Sequence, residues 1–216
     1  MSTVKYYDWS YHQARTRPNK VAVKEVSTGR ETTYGQLEER SCRLASWLQN
    51  KGVKKGDRVA ILIHNCTEVF ELEFACAKIG AIELPLNWRL TKPELEYILN
   101  DSSPEVLIYG SNFADTAKAL TKDCSIKNSL EIDDEDQNNE YEQALKENID
   151  FDVVETTHDD LIMLMYTSGT TGHPKGAMIT HEMQFYNIVN LAGSSRVTSL
   201  LYTSPSPRDL RTSRMP

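Results

Sequence analysis

A continuous apolar run, Val-Ala-Ile-Leu-Ile at residues 59–63, constrains the fold of this chain more than any other feature. Five consecutive apolar residues, three of them β-branched, leave neither side of a strand with a polar face. Such strands occur in parallel sheets that helices cover on both sides. The run therefore predicts an α/β fold with mostly parallel sheets and flanking helices.

The segments around this run alternate between strand-like and helix-like patterns. Thr33 and Gln36 have capping-box spacing ahead of a helix, and Thr91 and Glu94 repeat that spacing ahead of a helix that reaches residue 99. A third helix is predicted over residues 67–79. Strands are predicted over residues 20–26, 31–34, 58–64, 81–85, 104–109, 161–166 and 176–180. This alternation is typical of the same α/β class.

Length and charge exclude several functions. A chain of 216 residues can bury one sizeable core. Its formal net charge of -7 argues against broad binding to nucleic acid, which needs a basic face. No apolar stretch reaches the ~18 residues that a membrane-spanning helix needs, and the first eleven residues lack the pattern of a secretory signal. We therefore predict no transmembrane segment and no nucleic-acid partner.

The cysteines indicate a cellular compartment. The chain has four, and none forms a CxxC pair that would suggest zinc or redox chemistry. Scattered thiols in a chain of this size favour a reducing, cytoplasmic location. We interpret all four as small buried hydrophobic residues. They are Cys42, Cys66, Cys76 and Cys124.

The composition changes near the end of the chain. Residues 194–216 contain twelve Ser, Thr or Pro residues out of 23, together with four Arg residues. This stretch shows no helical or strand period and is predicted to be disordered. We therefore predict a partial domain over residues 1–193 and a tail over 194–216. Two interpretations of the tail stay open, a native basic tail and a non-native stretch joined to the gene.

An acidic stretch, Glu131–Glu142, contains seven carboxylates. A calcium-binding loop of the EF-hand type needs a central glycine, and this stretch has none. We interpret it as a solvated surface loop.

The segment from Thr167 to Gly176, TSGTTGHPKG, lies between two predicted strands and is suited to a polyphosphate. Its glycines let the main chain approach a ligand closely, and successive backbone N–H groups in such a turn can hold an anion. Its hydroxyl groups can donate to phosphate oxygens, and the single lysine supplies a positive charge. The candidate binding residues are Thr167, Ser168, Gly169, Thr170, Thr171, Gly172 and Lys175.

The same segment fits a Walker A loop and a ligand-free surface loop less well. A Walker A loop places Gly-Lys-Ser/Thr at the start of a helix, whereas here Pro174 precedes Lys175 and Gly176 follows it. A flexible surface loop without a ligand would share the composition, but the strand ahead of the loop and the HPKG sequence after it disfavour that interpretation.

The sequence YTSGTTGHPKG resembles the signature loop of the AMP-binding, adenylate-forming enzymes. Upstream segments at residues 32–37, 52–59 and 80–87 are similar to other motifs of that superfamily, and residues 87–90 favour its acyl-CoA synthetase or fatty acid:CoA ligase branch. The resemblance covers residues 10–193. It implies that a carboxylic acid, here a fatty acid, reacts with ATP to give an acyl-adenylate, and that CoA then accepts the acyl group.

The resemblance also assigns roles. It implies that residues 167–175 hold the β- and γ-phosphates, with Lys175 as the catalytic residue that neutralises their charge. The Glu that the family uses with Mg²⁺ belongs to a later motif that does not occur in this sequence, so we expect the chain to be an N-terminal fragment that is inactive alone. Thr180-His181 resembles a family segment, for which a position near the acyl site and a structural role both stay open.

Three alternatives stay open on the sequence alone. The chain could be a non-catalytic module that binds a nucleotide or phosphate, an adenylation domain that serves another thiol acceptor, or an interaction fragment with no ligand.

Overall fold

The computed structural model describes residues 4–6, 8–133, 136, 138–146, 150–167 and 174–194. Helices α1 to α7 cover Trp9–Thr16, Tyr34–Asn50, Thr67–Ile79, Lys92–Ser102, Ala114–Asp123, Glu140–Ala144 and His181–Ser194. Strands β1 to β8 cover Val21–Lys24, Glu31–Thr33, Arg58–Leu62, Ile82–Pro85, Val106–Gly110, Asn128–Ile132, Leu161–Thr167 and Lys175–Thr180.

The central sheet has six strands in the order β6-β5-β3-β4-β7-β8. All of its pairings are parallel except the hairpin of β7 and β8, which is antiparallel. Strands β1 and β2 form a separate antiparallel pair. The predicted α/β fold with a mostly parallel sheet is therefore confirmed.

The apolar run at residues 59–63 supplies most of β3, at the centre of the sheet. Val59 and Ile61 pack into a core cluster with residues of α2 and α3, whereas Ala60 and Leu62 pack with residues of α4 and α5. Successive side chains of a strand point to opposite faces, so both faces of β3 require apolar residues. Burying each large aliphatic side chain contributes roughly 1.5–3 kcal/mol.

Both predicted capping boxes are present. The backbone N–H of Thr33 donates to Oε1 of Gln36 at 2.9 Å, and the N–H of Gln36 donates back to Oγ1 of Thr33 at 3.3 Å. At the second box the N–H of Thr91 donates to Oε2 of Glu94 at 2.7 Å. The helix after it, α4, continues three residues beyond the predicted end, to Ser102.

The acidic stretch is not a solvated loop throughout, so that prediction was wrong at both ends. Glu131 belongs to β6, and Glu140 begins α6. Tyr141 is 1% exposed, and its hydroxyl donates to Oε2 of Glu71 at 2.7 Å. Glu142 accepts two hydrogen bonds from Arg40. Arg40 and the buried tyrosine therefore anchor the end of this stretch against α2 and α3.

Several other features bear on the sequence predictions. All four cysteines are free, but Cys76 alone among them is fully buried, so the prediction that all are buried was wrong for the other three.

No helix among the described residues is long and apolar enough to cross a membrane. The proposed tail, apart from Ser194, lies outside the described residues, and the division at residue 193 stays a prediction.

Candidate nucleotide-binding site

The predicted phosphate-binding loop joins the two strands of an antiparallel hairpin. Thr167, the last residue of β7, pairs with Lys175, the first residue of β8. The pairing places these two candidate residues side by side at the mouth of the loop. The other five candidates lie outside the described residues, namely Ser168, Gly169, Thr170, Thr171 and Gly172.

The base of the hairpin is tightly packed. Gly176 pairs with Tyr166, and a Cβ atom added to Gly176 would lie 2.9 Å from Cδ1 of Leu164 and 3.2 Å from Cζ of Tyr166. The Tyr166 hydroxyl donates to the Asp101 carboxylate in α4. Burial and that carboxylate raise the pKa of Tyr166. These contacts fix the strand positions from which Thr167 and Lys175 extend, and they explain why glycine follows the lysine.

The hairpin opens at the edge of the sheet where parallel strands bind ligands. Strand β7 is parallel to β4, so Thr167 lies at the same edge as the carboxyl ends of β3, β4 and β5. Ligands of open α/β sheets bind at this edge, where successive connections leave on opposite faces. Lys175 is exposed and forms no ion pair with another residue that the structure describes. The hairpin thus places an exposed lysine at this edge of the sheet.

An aromatic cluster at the same edge was not predicted from the sequence. The ring of His64, which follows β3, lies 4.6 Å from the ring of Trp88 and 5.1 Å from that of Phe113, measured between centroids. The Arg89 guanidinium carbon lies 4.1 Å from the centre of the Trp88 ring. An exposed ring and a stacked cation can take a planar or anionic group. The sequence feature that could have identified these residues is their position, because they closely follow β3, β4 and β5.

The described residues do not contain a metal site. No group of three or more His, Cys, Asp or Glu side chains in the described ranges could hold a metal ion. The Glu that the family resemblance pairs with Mg²⁺ belongs to a later motif that does not occur in this sequence, so Mg²⁺ stays a prediction.

His181 lies at the opposite end of the hairpin from the loop. It directly follows Thr180, which pairs with Leu161, whereas the loop follows Thr167. Six residues of strand separate these levels by about 20 Å. His181 as a whole residue is 3% exposed. The position of His181 does not distinguish between the two roles left open by the sequence, a structural role and a role near the acyl site.

Comparison with known proteins decides the family. The family described as AMP-binding enzyme matches residues 10–208 of the chain. The chain belongs to the AMP-binding enzyme family. The family resemblance drawn from the loop and the upstream motifs is thus confirmed, whereas the roles of the loop residues stay a prediction.

Relatives of this AMP-binding enzyme chain include two curated ligases and a solved structure. A feruloyl-CoA synthase of an Amycolatopsis species is 40% identical over 183 residues, which cover 85% of this chain and 35% of that protein. A long-chain-fatty-acid–CoA ligase of Mycobacterium tuberculosis is 38% identical over 180 residues, with coverages of 83% and 36%. The ATP-bound structure of MatB from Rhodopseudomonas palustris superposes with a TM-score of 0.75 at 28% identity, covering 88% of this chain and 38% of that one.

The AMP-binding enzyme chain spans about a third of the length of these curated relatives. The two ligases are named for different acids, one aromatic and one aliphatic, so family membership leaves the substrate undecided.

Proposed function

We propose that this chain supplies the ATP-phosphate-binding hairpin of an ATP-dependent carboxylic acid:CoA ligase. The observation that carries the proposal is the pairing of Thr167 with Lys175, which closes a loop rich in glycine and hydroxyl groups beside an exposed cation. The family match and the two relatives named as CoA ligases support the same class of reaction.

The proposed reaction has two steps. A carboxylate oxygen of the acid attacks the α-phosphorus of ATP, the bond from that phosphorus to the bridging oxygen breaks, and pyrophosphate leaves. The sulfur of CoA then attacks the acyl carbon, AMP leaves, and the thiol proton passes to solvent. In the first step negative charge accumulates on the departing phosphates. The Lys175 ammonium group and the hydroxyls and backbone N–H groups of residues 167–172 would stabilise that charge.

We propose a fatty acid as the substrate and CoA as the thiol acceptor. A long-chain-fatty-acid–CoA ligase among the relatives supports this choice. The feruloyl-CoA synthase favours an aromatic acid as the second candidate. Four free thiols are consistent with the cytoplasm as the proposed location.

The first test of this proposal is nucleotide binding by the 216-residue chain. We expect ATP to bind more tightly than AMP, because only ATP carries the phosphates that the hairpin loop would hold. Lys175→Ala should weaken ATP binding by roughly 10- to 100-fold, the effect of losing one charge-assisted hydrogen bond. AMP binding should change little. Isothermal titration calorimetry measures all four affinities.

A matched control keeps the change in net charge constant. Lys118 is an exposed lysine on α5 that lies outside the hairpin, and Lys118→Ala should leave ATP binding unchanged. Equal affinities for ATP and AMP, or equal losses in the two variants, would contradict the assignment of the loop to phosphate binding.

A further inference from the structure

A side-chain contact joins the end of α4 to the mouth of the hairpin loop. The Tyr166 hydroxyl in β7 donates to Oδ2 of Asp101, in the last turn of α4. Tyr166 pairs with Gly176, and the next pair along the hairpin, Thr167 with Lys175, is the last pair before the loop. The contact therefore lies one residue away from both of the described residues that are proposed to bind phosphate.

Few backbone pairs attach the loop end of the hairpin to the sheet. Strands β4 and β7 share one registered pair, Glu83 with Met163, whereas β3 shares four with each of its neighbours. In the part of the chain that the structure describes, β8 is the edge strand and pairs with β7 alone. Past Met163, side chains rather than a strand ladder therefore tie β7 to the elements beside it.

The Tyr166 ring carries this contact to the backbone of both strands. The ring packs against the apolar cluster on the α4 and α5 side of the sheet. Its Cζ atom, which bears the hydroxyl, lies 3.2 Å from the place that a Cβ atom on Gly176 would occupy. Because Asp101 holds the hydroxyl and the ring covers Gly176, the bond fixes both strands at the mouth of the loop.

The position of Asp101 is unfavourable for α4 itself. A carboxylate in the last turn of a helix lies at the negative end of the helix dipole, and α4 has no basic residue in that turn to offset it. Asp101 is also exposed, so packing of the core does not require it. Its hydrogen bond to Tyr166 accounts for a carboxylate at this position.

We propose that Asp101 is a positioning residue for ATP, which acts through Tyr166 to hold Thr167 and Lys175 beside the phosphates. This inference rests on the proposed function of the hairpin. Asp101 itself is not a ligand, because a carboxylate repels phosphate oxygens. Its hydrogen bond instead orders the two ends of the loop before ATP arrives, so that less of the binding free energy is lost in ordering them.

The affinities of the 216-residue chain for ATP and AMP test this proposal, because charge and positioning predict opposite signs. Removal of a negative charge near a polyanion should by itself tighten ATP binding. We expect Asp101→Ala instead to weaken ATP binding by roughly 3- to 10-fold, the effect of losing one hydrogen bond, and to leave AMP binding unchanged. Tyr166→Phe, which keeps the ring over Gly176, should show the same loss, and the double variant should lose no more than either single variant. Isothermal titration calorimetry measures these affinities.

Two further variants serve as controls. Asp101→Asn retains an oxygen that can accept a hydrogen bond from Tyr166, so it should lose less ATP affinity than Asp101→Ala. Asp152 is exposed and bonds to Gln49 through its own backbone atoms. Asp152→Ala therefore removes the same charge away from the hairpin and should bind ATP as the unmodified chain does.

Several results would overturn the proposal. Asp101→Ala might bind ATP as tightly as the unmodified chain or more tightly, its ATP and AMP affinities might fall in proportion, the losses of Asp101→Ala and Tyr166→Phe might add, or Asp101→Asn might lose as much as Asp101→Ala. Any of these results, together with a selective loss of ATP binding in Lys175→Ala, would leave the proposed function standing. Equal affinities of the unmodified chain for ATP and AMP would refute both.

Discussion

Replacing Glu83 with glutamine should stabilise the chain at pH 8 and change little at pH 4. Glu83 lies in β4, between β3 and β7, and is 1% exposed. Neither of its carboxylate oxygens has a hydrogen-bond partner among the described residues. Burial, reinforced by repulsion from Glu73, raises its pKa from 4.5 to about 8. The folded chain therefore holds Glu83 as a neutral acid at pH 7.

The sign of the pH effect follows from proton binding. Between pH 4.5 and 8 the unfolded chain loses the Glu83 proton while the folded chain retains it, so the free energy of unfolding falls as pH rises. The stability present below pH 4.5 is lost by about pH 8. At 1.36 kcal/mol per pKa unit, the loss is up to about 5 kcal/mol. Glutamine cannot ionise, so the Glu83→Gln variant should not show this loss of stability.

Urea unfolding at a series of pH values between 4 and 8 measures this effect. Glu182→Gln, at an exposed position in the first turn of α7, makes the same replacement of a carboxyl by an amide and should alter stability by less than about 0.5 kcal/mol. If Glu83→Gln and the unmodified chain lose stability in parallel as pH rises, Glu83 is not a neutral buried acid.

Replacing Lys78 with methionine should destabilise the chain by about 3 kcal/mol. The Lys78 side chain is 4% exposed, and its ammonium nitrogen lies 2.6 Å from Oδ2 of Asp8 and 2.8 Å from Oε1 of Glu38. The Ser10 hydroxyl lies 2.8 Å from Oδ1 of Asp8 and 2.6 Å from Oε2 of Glu38, and its single proton can be donated to either carboxylate. Although burial opposes the charged form, the two carboxylates raise the pKa of Lys78. Methionine fills a similar volume but leaves two carboxylates facing each other without a cation.

The expected loss is at the lower end for a broken buried ion pair because Asp8 is 30% exposed and can be partly hydrated. Lys24 is the control, since its ion pair with Glu31 is 60% exposed on the lysine side, and Lys24→Met should cost less than about 1 kcal/mol. Thermal or urea unfolding compares the two. Equal and small losses of stability in the two variants would show that the ion pairs of Lys78 do not stabilise the packing of α1, α2 and α3.

The parts of the fold that were predictable are those with local signals. The apolar run of β3 carries its own pattern, and the Thr33–Gln36 and Thr91–Glu94 boxes place side chain and backbone within one helical turn. The hairpin was predictable because two strand-like runs flank one loop of unusual composition. Within the loop, Thr167 and Lys175 could be named from that composition alone, and the structure adds their pairing.

The parts that were missed depend on distant residues. The group of Asp8, Glu38 and Lys78 joins three helices, and each residue alone is an ordinary charge in the sequence. The burial of Glu83 could not be inferred, because a carboxylate inside a short strand usually indicates an exposed face. Helix α6 was hidden in an acidic stretch, since its anchor Arg40 lies about a hundred residues earlier in the chain.

The central claim is that the hairpin loop serves carboxylate activation, and carboxylate-dependent exchange of pyrophosphate into ATP tests it most directly. The assay uses the protein translated from the complete gene, with a series of fatty acids and ferulate as the acids. We predict exchange that requires a carboxylic acid, is strongest with a fatty acid, and falls by roughly 10²–10³-fold in Lys175→Ala. The account would be contradicted if pyrophosphate exchange or ATP hydrolysis did not depend on the acid, or if no acid supported exchange. Full activity in Lys175→Ala would also contradict it.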